Sequence, residues 1–196
     1  MMKKRSFILV FLLFLCISPR AAAENAEKPD YLAIMLQAAQ SGDLDAGRAA
    51  ALCRNEELDA RDSLDARIDF DELLWLAKLI AWEADSERIG MDWRICIGEV
   101  VLNRVASPEF PDSIEEVVCQ SGAYAGTDSE DFRDLFDPDE DSVNAALALL
   151  RGERRLSPWV VWQCSASHGK RDYARYADEE WGVMYFCSSE HPELYW

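Results

Sequence analysis

Residues Asp71–Glu87 read DELLWLAKLIAWEADSE. From Leu73 to Ala84 every side chain is apolar except Lys78 and Glu83. A helix that is apolar almost all round belongs in the core of its domain. At about 100° per residue, Leu76, Leu79, Ile80, Glu83 and Glu87 share one side of that helix. Glu83 therefore points the same way as core leucines. No Lys or Arg stands three or four positions away to neutralise it. Desolvation, and Glu87 one turn on, are expected to raise its pKa. A carboxyl that keeps its proton near neutrality is what a general acid needs. The competing structural reading is a Glu that reaches solvent at the helix end, or pairs with a distant Arg.

Downstream, Arg88–Gly90 reads as a turn and Met91 to about Ala106 as a second helix with an apolar run of its own. Gly98 inside it predicts close approach of a neighbouring helix. Glu99 and Asn103 are four apart and are expected to form a buried polar pair, which makes Glu99 a rival acid. Ser107 and Pro108 end the helix. Pro111–Ser113 start a short helical segment that runs to Val118. Gln120–Phe136 reads as an acidic loop with Tyr124 and Phe132, whose rings suit stacking on a sugar. Its acids Asp128, Glu130, Asp131 and Asp134 lack the ligand spacing of a calcium loop. Asp137–Gly152 carries helix start and stop signals. Trp159–Cys164 and Val183–Cys187 read as short strands of a small antiparallel sheet or hairpin. The fold class is α+β and mostly α.

Upstream, Tyr31, Ile34, Met35 and Ala38 repeat at helical spacing. Ser41 and Gly42 break the run, and Asp43 caps the next helix, giving an αα-hairpin. Asp59–Asp69 reads as a charged linker. Residues 1–23 have the features of a secretory signal: Lys3, Lys4 and Arg5, the apolar run Phe7–Ile17, and Ala21–Ala23 as a cleavage site. Phe14 and Leu15 before Cys16 oppose a lipoprotein signal. The expected organisation is a signal peptide at 1–23, a hairpin and linker at 24–68, and the main domain at 69–196.

The chain carries a formal charge of −17. That opposes nucleic acid or an anionic membrane as partner, since both need basic surface. Beyond the signal, the cysteines are Cys53, Cys96, Cys119, Cys164 and Cys187. An odd number leaves at least one thiol, and Cys164–Cys187 is the favoured bridge. There is no C-x-x-C, and His168 and His191 are the only histidines, so neither a zinc site nor any other cofactor is implied.

Three strings carry a resemblance: WEADSE at Trp82–Glu87, IGEVVLNRVASPEFPDSIEEVV at Ile97–Val118, and the Gly122–Ala123–Tyr124 loop. With them the stretch from Glu72 to Cys187 resembles the cell wall hydrolase family typified by the spore-cortex-lytic enzyme SleB. The resemblance implies a lysozyme-like, mostly helical domain that cuts peptidoglycan glycan strands between muramic acid and glucosamine. It implies lytic transglycosylation with one Glu as acid and base, and that Glu falls on Glu83. The candidate substrate-binding residues are Glu87, Asn103, Tyr124 and His168. The implied protein is secreted or wall-associated, with no stable membrane insertion once the signal is removed. Two departures stand out: Ser86 replaces a Gly, and Ala123 and Tyr124 stand where the family favours Gln and Phe. Two alternatives follow. One is a wall-glycan-binding domain without catalysis, and the other is a cysteine amidase using Cys96 and His168.

Overall fold

The computed structural model describes residues 29–60, 67–84, 87–135, 137–169, 171–180 and 182–195. The signal reading at 1–23, residues 61–66 of the linker, and Ser86 lie outside them. Residues 31–196 form one compact unit, mostly helical, with a small antiparallel sheet near its C-terminal end.

The apolar stretch forms the central helix. We number the helices in chain order: α1 Tyr31–Ser41, α2 Leu44–Ala60, α3 Phe70–Glu83, α4 Met91–Val105, α5 Ile114–Val118 and α6 Glu140–Leu150. Asp69 caps α3, its carboxylate accepting from the Asp71 and Glu72 amides at 2.8 and 3.2 Å. Leu73, Leu76, Leu79 and Ile80 are fully buried. Each such side chain is worth about 1.5–3 kcal/mol relative to exposure. The helix stops at Glu83. Ala84 leaves helical geometry with φ −113° and ψ 40°, its amide closing the last turn on the Ile80 carbonyl. The helical register therefore does not continue to Glu87, and the expected stacking of Glu87 on Glu83 is lost.

Helices α3, α4 and α6 meet at Gly98. A Cβ there would lie 2.5 Å from Leu149 Cδ1 and 2.7 Å from Ile80 Cδ1. The close approach expected of this glycine is present. Ser113 caps α5 through the Glu116 amide, and Asp139 caps α6 through the Ser142 amide. A single π-helical turn, Asp131–Leu135, ends the acidic loop.

The hairpin of α1 and α2 has the expected turn. Gly42 takes φ +70°, and Asp43 accepts from the Ala46 amide at 3.1 Å. The start of α3 clamps it. Asn55 exchanges two hydrogen bonds with the Ile68 backbone, and Arg48 pairs with Asp71 at 2.9 Å. Gly47 sits against Phe70, where a Cβ would lie 2.1 Å from the ring. Gly47→Ala gains about 1 kcal/mol of helix propensity but overpacks a buried ring at about 1–3 kcal/mol. The urea midpoint of the whole protein is expected to fall. An unchanged or raised midpoint would show that α2 yields freely from Phe70.

The sheet has strands β1 Val160–Cys164, β2 Asp172–Asp178 and β3 Gly182–Ser188 in the order β1-β3-β2, all antiparallel. Strand β2 falls in a stretch whose polar and aromatic character gave no strand pattern. Residue pairing sets Trp162 opposite Cys187, and Cys164 opposite Tyr185. Cys164 is a free thiol whose Sγ contacts the Ala166 carbonyl at 2.8 Å. The Cys164–Cys187 bridge is therefore not made, because the register sets the two residues off each other by a pair.

Candidate active site

Glu83 ends α3 at a cleft of about 260 Å³. Trp82 from α3, Ile89 from the turn before α4, Trp93 in the first turn of α4, Ala125 from the acidic loop, and Val183 and Met184 from β3 form the rest of its lining. Glu83 is the one carboxylate among the described lining residues. The rim is fastened by Trp82, whose Nε1 donates to the Ala125 carbonyl at 2.7 Å. Gly126, at φ +79°, lies so close that a Cβ would be 2.9 Å from the Trp82 ring.

Burial pushes the Glu83 pKa up, opposed by a hydrogen bond from Gln163 and by the positive charge of Arg104; the net direction is upward. The bond runs from Gln163 Nε2 to Glu83 Oε2 at 2.9 Å. Glu87 plays no part in the shift and is exposed in the turn after the helix. The carboxyl is thus desolvated, as its sequence setting suggests, and no acid among the described residues adds to the shift.

Behind Glu83 lies a buried cation. Arg104 is 2 % exposed. Its guanidinium sits 5.1, 4.9 and 5.2 Å from the ring centres of Phe110, Tyr124 and Trp162. Its Nε donates to the Val161 carbonyl at 2.7 Å. Stacking on π faces suits a planar, weakly hydrated guanidinium. Three polar atoms here have no protein partner among the described residues: Arg104 Nη1, the Tyr124 hydroxyl and Gln163 Oε1. Burial pushes the Tyr124 hydroxyl up to about 12, with Arg104 opposing and Glu83 adding to the rise.

The other residues singled out in the sequence fall in several places. Tyr124 is buried with one face taken by Arg104, rather than standing exposed on the loop as a stacking surface. Phe132 is buried too, against Trp75 and Trp82. Asn103 gives its amide to the Ser157 and Val160 carbonyls at 3.0 and 2.9 Å. Glu99 accepts from the Arg155 and Leu156 amides at 2.6 and 3.0 Å. The expected Glu99–Asn103 pair does not form, because both side chains face the incoming chain at 155–160 and pin it to α4. His168 is exposed beside Trp162, ring centres 4.9 Å apart. Its backbone amide donates to Cys187 Sγ at 3.4 Å.

Cys96, proposed with His168 for the amidase alternative, contacts the Tyr176 hydroxyl at 3.7 Å instead. Burial pushes its thiol up to about 11. A nucleophilic cysteine needs the opposite shift, so the amidase reading has no thiolate to work with. Among the described residues no group of three or more His, Cys, Asp or Glu is placed to hold a metal ion.

Gln163, Arg104 and Trp93 were not picked out in the sequence. Two signals were available: Gln163 is the polar residue in VVWQC, and Arg104 sits in a largely apolar helix, as Glu83 does.

The cell wall hydrolase family model matches residues 90–196. The match takes in α4, the loop, α6 and the sheet, and begins downstream of Glu83. No curated protein and no solved structure matches the chain. No helix among the described residues is long and apolar enough to cross a membrane.

Proposed function

The chain belongs to the cell wall hydrolase family, and from that premise we propose that it cleaves peptidoglycan glycan strands by lytic transglycosylation, with Glu83 as both acid and base. One observation carries the reading: among the described residues a single desolvated carboxyl opens on a cleft walled by tryptophans and aliphatic side chains. Protonated Glu83 gives its proton to the glycosidic oxygen joining muramic acid C1 to the next sugar, and the C1–O bond breaks. The resulting carboxylate takes the proton of the muramic 6-hydroxyl as O6 bonds to C1. The product ends in a 1,6-anhydro ring, and Glu83 is protonated again. No water needs activating, so one carboxyl suffices, unlike the two-carboxyl hydrolases. The aromatic walls offer apolar faces to a sugar ring. Exposed Glu87 and His168 are available to outer substrate groups.

In this reading the helical body is lysozyme-like, and residues 1–23 direct the protein out of the cell to the wall. Purified sacculi separate cutting from mere binding. The enzyme reading expects soluble muropeptides to accumulate with time and to exceed the protein in molar amount. Pelleting with the sacculi, with nothing released, would favour the non-catalytic wall-binding alternative.

A further inference from the structure

We propose that Gln163 is a positioning residue for this reaction: its amide fixes the Glu83 carboxyl for proton transfer, and Arg104 fixes the strand that carries Gln163. The inference rests on Glu83 being the acid.

The geometry runs from α4 through β1 to Glu83. Asn103 Nδ2 takes the Val160 carbonyl at 2.9 Å. Arg104 Nε takes the Val161 carbonyl at 2.7 Å, and its guanidinium lies 5.2 Å from the centre of the Trp162 ring. Three successive residues of β1 are thus tied to one helix, and the next is Gln163. Its Nε2 reaches Glu83 Oε2 at 2.9 Å. The amide's donor end is spent on Glu83, and among the described residues its Oε1 end has no protein partner.

That donor sits where negative charge appears as Glu83 gives up its proton. A hydrogen bond to an ionised acceptor is about twice as strong as a neutral one. The bond therefore tightens during proton transfer, and such differential stabilisation raises kcat rather than lowering KM. Among the described residues, the charged and titratable groups facing Glu83 are the Arg104 guanidinium from α4 and the Tyr124 hydroxyl from the loop after α5. The β3 lining, Val183 and Met184, carries no charge.

The test titrates the Glu83 carboxyl by carbon-13 NMR in the full-length protein, its signal assigned by loss in Glu83→Gln. Gln163→Leu removes the donor, so the midpoint is expected to rise. Gln163→Glu keeps the side chain's shape and places a second carboxyl against the first. That pair is expected to release its last proton at still higher pH. It also carries the test should Gln163→Leu fail to fold. On sacculi, Gln163→Leu is expected to lower kcat about tenfold and to change KM by less than about twofold. The alkaline limb of its pH profile should move up with the midpoint. A midpoint that stays at the wild-type value in both variants overturns the proposal. Sacculi left intact by the wild-type protein would remove the acid reading of Glu83 instead, while the midpoint comparison would still decide whether Gln163 governs that carboxyl.

Discussion

Glu83→Gln lowers turnover on purified peptidoglycan by about 10²–10⁴-fold, the usual worth of a general acid–base group, and leaves the protein folded. The amide has nearly the shape of the carboxyl and can still accept from Gln163 Nε2 through its own oxygen. It cannot give a proton to the glycosidic oxygen or take one from the 6-hydroxyl. The same substitution is expected to raise stability at neutral pH. Burial raises the folded pKa of Glu83 above its unfolded value. Its contribution to stability is then fully present below the ordinary carboxyl range and is lost as pH rises through the raised value. Gln has no proton to lose and escapes that loss. The variant should melt above the wild type at neutral pH and level with it in acid. Melting curves at several pH values check this, and a constant difference across the range would contradict it.

Glu99→Ala is expected to do the reverse: little change in kcat, and a loss of about 2–4 kcal/mol. Its Oε2 holds the Arg155 and Leu156 amides together. Truncation leaves two part-buried backbone donors without that partner, each toward the lower end of the about 1–3 kcal/mol cost of a buried unsatisfied group. At about 2–4 °C per kcal/mol for a chain of this size, the melting temperature should fall by roughly 10 °C. A variant that keeps its stability and loses turnover would make Glu99, rather than Glu83, the acid. The two substitutions together therefore separate the rival carboxyls: turnover is lost in one and kept in the other, and stability shifts in opposite directions.

How far the sequence could be read depended on whether each feature is local. Helices α3, α4, α5 and α6 follow from apolar period and end signals. The setting of Glu83 follows too, because one acid among leucines is conspicuous within a single helix. Strand β2 did not declare itself. Residues Asp172–Asp178 read DYARYAD, and an irregular pairing between Asp172 and Ala174 breaks the alternation. The Glu99–Asn103 pair was inferred from spacing within one helix. The real partners are backbone groups at 155–160, far along the chain, whose approach no helical wheel contains. Glu87 was aligned with Glu83 on the assumption that the helix continued, and it ends at Glu83 instead. Gln163 and Arg104 join the site only through the register of β1 against β3 and the packing of α4 on β1. The disulfide expectation failed for the same reason, since strand ends near in sequence pattern were set out of step by pairing.

Mass spectrometry of the fragments released from purified sacculi tests the central claim most directly. One carboxyl acting alone should leave muramic acid ends as 1,6-anhydro rings, each lighter than a reducing end by one water. Fragments that all carry reducing ends would mean that water attacks C1, and would contradict the single-carboxyl account.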